Sequence, residues 1–201
     1  MAAGQREGKR VMTTTAMFAL TWAALLGSVA LTLRMAAKLR FALDPFRHQP
    51  DDLALPEGMP APPFSAVTLD GAVLDSDDYA DRAFTLVFVS HHCPSCREHL
   101  PHIPALWRLA ESAASELVMV VFDEESGSRA QTERLVAEHA IPAMTVLASA
   151  DHPLRELYNP RQATPLYCHV ESGVVRGSGP LGSQGWQELV RGWQASAVGV
   201  R

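Results

Sequence analysis

The stretch Phe84-Thr85-Leu86-Val87-Phe88-Val89-Ser90-His91-His92-Cys93-Pro94-Ser95-Cys96 decides the reading of this chain. Its first six residues are apolar except for Thr85, the pattern of a strand buried on both faces. Pro94 suits the first turn of a helix, where a missing N–H costs no hydrogen bond. The helix is expected to run over residues 94–114. Two of the three cysteines in 201 residues therefore fall at the junction of a buried strand and a helix.

The neighbouring sequence supplies the rest of an α/β domain. Residues 66–69 and 72–74 flank Asp70-Gly71 and read as a β-hairpin. Residues 117–122 and 144–147 read as further buried strands, with a helix capped by Ser128 between them. A short helix over 153–157 and strands over 166–170 and 174–176 follow. A last helix from Ser183 carries Trp186, Leu189, Val190 and Trp193 on one stripe. This order predicts an α/β fold: a mixed sheet with helices on both faces.

The N-terminal third differs. Residues 11–33 carry no charge and are long enough to cross a bilayer core as a helix, which takes about 20 residues. They are expected to form one transmembrane anchor rather than a cleaved signal peptide or a buried helix. Residues 1–10 are expected in the cytoplasm. Residues 34–62, punctuated by Pro45, Pro50, Pro56, Pro60, Pro62 and paired acids, are expected to be a tether. Residues 63–201 are the expected folded domain. Residues 1–40 hold six basic side chains against one acid; the rest holds eleven arginines against twenty-one acids. An acidic body is unsuited to nucleic acid, and the basic flanks of residues 11–33 suit an anionic lipid surface.

The chemistry centres on Cys93-Pro94-Ser95-Cys96. Cysteines three apart on a first helical turn share a face and can close a small disulfide ring. Free N–H groups at a helix start favour a thiolate, the species that attacks disulfides. Cys93 is placed as that nucleophile and Cys96 as the group that resolves the mixed disulfide. Pro94 has no N–H, so donors to the Cys93 sulfur must come from Ser95 and Cys96. His91 and His92 are either exposed loop residues or tuning charges beside Cys93. A zinc site of Cys93, Cys96, His99 and His102 remains an alternative on spacing alone. Cys168 reads as a small buried hydrophobe or an auxiliary thiol.

The strand–Cys-Pro-x-Cys–helix unit resembles thioredoxin-fold disulfide oxidoreductases, in particular the membrane-anchored TlpA/ResA-type group; the MauD-like proteins of bacterial amine-dehydrogenase maturation are a candidate subgroup. The resemblance covers about residues 60–195 plus the anchor. Pro101 falls where such proteins kink the active-site helix, and Thr164-Pro165 where they carry a cis-proline. Tyr158 and Glu171-Ser172-Gly173 sit at similar spacings, and residues 128–147 resemble the insertion that marks the group. Val87 stands where thioredoxin itself has a buried acid, His92 where Trp or Thr is common, and Leu166 where Thr is frequent. The resemblance implies catalytic Cys93 and Cys96, substrate contact at Thr164 and Pro165, and tuning by His92, Pro94 and Ser95. It implies protein dithiol or disulfide substrates, a membrane or periplasmic redox partner, a domain outside the cytoplasmic membrane, and no metal or cofactor. A peroxiredoxin-type peroxidase is the alternative: Ser90 lies three before Cys93, as in that motif, but Leu86 occupies its proline position.

Overall fold

The computed structural model describes residues 55–124 and 128–199, together with Trp22, Leu25 and Ser28. Those three are helical and exposed, and belong to a separate unit, Met1–His48. The rest of the expected span over 11–33 and of the tether up to residue 54 lies outside the described residues. Among the described residues, no helix is long and apolar enough to cross a membrane.

Seven strands form two sheets. A short hairpin pairs β1 (Ser65–Val67) with β2 (Val73–Asp75) around Gly71, whose φ of +92° suits glycine at the turn. The main sheet has the order β5-β4-β3-β6-β7, formed by β3 (Ala83–Val89), β4 (Ser115–Phe122), β5 (Met144–Ala148), β6 (Leu166–Glu171) and β7 (Val174–Pro180). β3, β4 and β5 are mutually parallel, and β6 and β7 are antiparallel additions. β3 is therefore central, which is why six successive residues of it are buried.

Side-chain alternation divides the core. Phe84, Leu86 and Phe88 of β3 join Val118, Val120 and Phe122 of β4 on one face. Val87 and Val89 join Leu117, Met119 and Val121 on the other. The first face is covered by the hairpin and by α4 (Pro153–Tyr158), through Leu154 and Tyr158. Tyr158 anchors this side by packing edge-on against Phe64 and Phe84, and its hydroxyl donates to the Pro62 carbonyl at 2.6 Å. The second face is covered by α1 (Pro94–His99), α2 (Ile103–Ser112), the inner side of α3 (Ser128–Glu138) and α5 (Gln184–Gly199).

Two expectations change. The helix over 94–114 is three pieces: α1, a 3-10 turn over Leu100–His102, then α2. Pro101 cannot donate the next helical hydrogen bond, so the ladder tightens and restarts. Residues 55–62, placed in the tether because of their prolines, instead run along the outer edge of β7. Gly58 and Ala61 donate to Val175 and Gly173, and Val175 donates back to Met59. Proline is tolerated beside an edge strand, so its frequency there does not exclude pairing. The opposite edge, β5, is met by the hairpin, where Leu69 donates to Thr145. Both exposed edges are thus shielded against pairing with other chains.

His169 of β6 links the sheet to acid stability. Its Nδ1 lies 2.8 Å from Thr85 Oγ1, and its ring meets Trp193 edge-on. Burial holds its pKa below the ordinary 6.5. His91 and His152 are shifted the same way, also mainly by burial. Below pH 6.5 the unfolded chain takes up protons that the folded chain resists, so stability is present above that value and is lost as pH falls towards the lowered native pKa. Chemical denaturation at pH 7.5 and 5.5 should show this loss, and His169→Asn, which cannot titrate, should lose less. An equal loss in both proteins would exclude His169 as a contributor.

Candidate active site

Cys93 is the residue immediately before α1, with extended backbone (φ −85°, ψ 109°). That conformation swings its side chain back over the first turn, where the Cys96 N–H donates to the Cys93 sulfur at 3.1 Å. Cys93 and Cys96 are joined as a disulfide, with Cα atoms 5.2 Å apart. Cys93 is half-buried, whereas Cys96 is fully buried in the apolar cluster with Val87, Leu100 and Ile103. Only the first sulfur is open to a second molecule.

The other wall is the turn before β6. The Thr164–Pro165 peptide bond is cis, and the Thr164 carbonyl oxygen lies 3.5 Å from Cys93 Sγ. In the dithiol form, the Cys93 S–H can donate to it. The two contacts act oppositely on a thiolate: the Cys96 N–H favours it and the Thr164 carbonyl disfavours it. Both lie within hydrogen-bonding reach of the sulfur. Thr164 and Pro165 are themselves half-exposed, leaving backbone open beside the sulfur.

The tuning candidates separate. Pro94 and Ser95 are exposed on the first turn, and the cap donor is Cys96 alone, not Ser95. His92 is exposed, and its backbone N–H donates to Ser90 Oγ at 3.2 Å. His91 points the other way, with Nε2 2.9 Å from Thr132 Oγ1. That hydroxyl spends its single hydrogen on the Ser128 carbonyl, so it accepts from His91 Nε2–H. Burial, followed by the neighbouring His92, lowers the His91 pKa, so the ring favours the neutral form. His91 is thus a clasp between the cysteine loop and α3 rather than a charge beside the sulfur. Ser90 is a second clasp: it donates to Glu124 Oε2 at 2.8 Å while accepting from His92. Sequence reasoning missed both partners, Thr132 and Glu124, because each lies more than thirty residues away.

A third support was also missed. Asn159 is fully buried. Its side chain donates to the Ala163 carbonyl at 2.7 Å and accepts from the Ala163 N–H at 2.9 Å. It fixes the turn that delivers Thr164. The Asn159-Pro160 pair was the signal available for it, as a turn former.

Val87, where a buried acid serves thioredoxin, is fully buried and apolar. Among the described residues no Asp or Glu is buried, and Glu98 is exposed on α1. Nor do three His, Cys, Asp or Glu side chains converge as a metal site among the described residues. His102 is exposed, and both candidate thiol ligands are in the disulfide.

Cys168 pairs with Leu86 on the face of the sheet opposite Cys96. Burial pushes its thiol up to about 12. It is a packed apolar side chain with no path to the disulfide. Thiol labelling of the oxidised protein should give no fast-reacting group in the folded state and one after denaturation. Fast labelling of the native protein would overturn this assignment.

The AhpC/TSA family model matches residues 58–175. The chain belongs to the AhpC/TSA family. Solved structures of the same thioredoxin-like fold include a thiol:disulfide interchange protein from Chlorobium tepidum TLS, at 22% identity and a TM-score of 0.56 over 72% of this chain and 99% of that one. A DsbF homologue from Corynebacterium diphtheriae shares 13% identity at a TM-score of 0.57, over 69% and 87%. A thiol:disulfide interchange protein from Bacteroides sp. shares 16% at 0.54, over 68% and 87%. No curated protein matches the chain. This family member shares with those structures the thioredoxin-like fold.

Proposed function

We propose that this protein is a membrane-tethered thiol–disulfide oxidoreductase that exchanges the Cys93–Cys96 pair with protein substrates outside the cytoplasmic membrane. The observation that carries the reading is the asymmetry of the pair: one accessible sulfur, capped by a backbone N–H, joined to one buried sulfur. The reduced Cys93 thiolate attacks a substrate disulfide, a Cys93–substrate bond forms, and one substrate thiolate leaves. Cys96 then attacks Cys93 Sγ, closes the internal disulfide and releases the second thiolate. Two electrons pass to the substrate and two protons follow. With no buried acid among the described residues, the leaving thiolate and water are the acceptors at hand for the Cys96 proton. The reverse sequence oxidises a substrate dithiol.

Equilibration with glutathione buffers, quenched by acid and scored by thiol alkylation, tests this directly. A single two-electron transition between dithiol and disulfide is expected. A pair that stays oxidised or reduced across the range from roughly −120 to −300 mV would sink the reading. The uncharged residues 11–33, flanked by basic residues, support the tether. A disulfide-forming pair also suits an oxidising compartment. A reporter fused after Arg201 should be active only outside the cytoplasm.

The AhpC/TSA match favours one second reading, a thiol peroxidase. There the Cys93 thiolate would attack the peroxide O–O bond, release an alcohol or water, and become a sulfenic acid. Cys96 would condense with it, releasing water. Leu86 at the motif's proline position speaks against this. Peroxide consumption by the reduced protein, measured beside protein disulfide exchange, decides between them.

A further inference from the structure

A groove of about 530 Å³ opens between the cysteine loop and α3, within the roughly 300–1,000 Å³ range of binding clefts. One wall is His91, His92 and Arg97, which bracket the disulfide in sequence. The other is a stripe of α3 carrying Gln131, Arg134 and Glu138, followed by His139. Leu100 and Leu135 also line it. The walls are fixed to one another, because His91 donates to Thr132 of α3. The groove is therefore built before any ligand arrives.

Its charge runs against that of the body. Beyond residue 40 the chain holds nearly two acids for each arginine, yet here two arginines face one glutamate, Glu138. Arg129 and Arg191 are held by Glu133 and Glu188. Arg97 and Arg134 make no ion pair or side-chain hydrogen bond among the described residues. Both are exposed, and they stand on opposite walls. His92 directly precedes Cys93 and Arg97 directly follows Cys96, so the groove is lined by the immediate neighbours of the disulfide, while the acidic body disfavours acidic chains elsewhere.

We infer that the groove between α1 and α3 selects substrates by seating an acidic segment of the partner protein between Arg97 and Arg134, beside the cysteine presented to Cys93. The inference rests on the exchange reading above. It makes α3 a specificity element rather than a catalytic one.

The test uses the reduced full-length chain in neutral detergent. The probes are three ten-residue peptides with one cysteine each, flanked by Asp/Glu, Ser or Lys. Each is presented as a mixed disulfide with an aromatic thiolate. Attack by Cys93 forms the peptide–Cys93 disulfide and releases the coloured thiolate, so the rate is read directly. At low ionic strength the acidic peptide should react roughly tenfold faster than the serine peptide, the lower end of electrostatic steering effects. The advantage should fade near 1 M salt, where the Debye length is about 3 Å. Net charge alone predicts the opposite order, with the lysine peptide fastest.

Arg134→Glu should cut the acidic-to-serine ratio severalfold, and Arg97→Glu with Arg134→Glu should invert it. Using the ratio within each variant cancels any change in Cys93 itself. Arg108→Glu, an exposed α2 position outside the groove, should keep the wild-type ratio. Equal rates for the three peptides, or equal ratios for Arg134→Glu and Arg108→Glu, would overturn the groove assignment while leaving exchange intact. No reaction with any peptide would sink the exchange reading itself.

Discussion

Cys96→Ser is expected to convert the protein into a trap, accumulating mixed disulfides with its substrates through Cys93. The substrate sulfur bonded to Cys93 is released within the molecule when a thiolate attacks Cys93 Sγ in line with that bond, opposite the leaving substrate sulfur. Cys96 is the group so placed, one turn along α1, with its own backbone N–H on Cys93 Sγ at 3.1 Å. Serine preserves that N–H and the cap but lacks the nucleophile. Cys93→Ser should behave differently. Cys96 is fully buried beneath Leu100 and Ile103, so no substrate disulfide reaches it. Turnover should fall by at least about three orders of magnitude, in the range seen when a covalent catalyst loses its nucleophile, and no adduct should form. Non-reducing electrophoresis of the two variants in cells distinguishes them. Equal trapping by both would mean that the burial asymmetry does not set the order of attack. Cys168 does not rescue either variant, because β3 and β6 interpose the sheet between it and the pair.

The residues legible in sequence were those whose role depends on near neighbours. The β3 strand, the proline-started α1 and the i, i+3 cysteines all sit within one short stretch. The break at Pro101 was marked only by the resemblance, since the residue pattern carried the helix through to 114. Tertiary supports were hidden for the matching reason. Nothing local marks Glu124 as the acceptor for Ser90, or Thr132 as the partner of His91. The sheet alone brings the ends of β3 and β4 and the start of α3 together. Residues 55–62 misled in the opposite direction. Prolines there carried a local signal for a free linker, and β7 recruited the N–H groups between them. Local composition could not reveal that the sheet had an edge to cover.

Asn159→Ala should be the most damaging substitution outside the cysteine pair. The side chain is fully buried and satisfies both backbone groups of Ala163, as a neighbouring strand would. Alanine leaves the part-buried N–H and carbonyl of Ala163 unpaired. With about 1–3 kcal/mol for each such group when fully buried, part-burial puts the loss at about 2 kcal/mol, equivalent to about 7 °C in Tm for a domain of this size. The effect reaches the site, because Ala163 precedes the residue whose carbonyl meets Cys93. Exchange rates should therefore fall further than the folded fraction does. Asn159→Asp isolates the donor half of the interaction. Ionised aspartate still accepts from the Ala163 N–H but faces its carbonyl with a second acceptor. Protonated aspartate can donate as asparagine does. The folded state thus raises this carboxyl pKa above its unfolded value, and the stability it contributes is present below that value and lost as pH rises through the window. Denaturation of Asn159→Asp should approach wild-type stability on acidification, while Asn159→Ala keeps a constant deficit. Parallel pH profiles for the two variants would show that Asn159 braces the turn by shape alone, with no role for its hydrogen bonds.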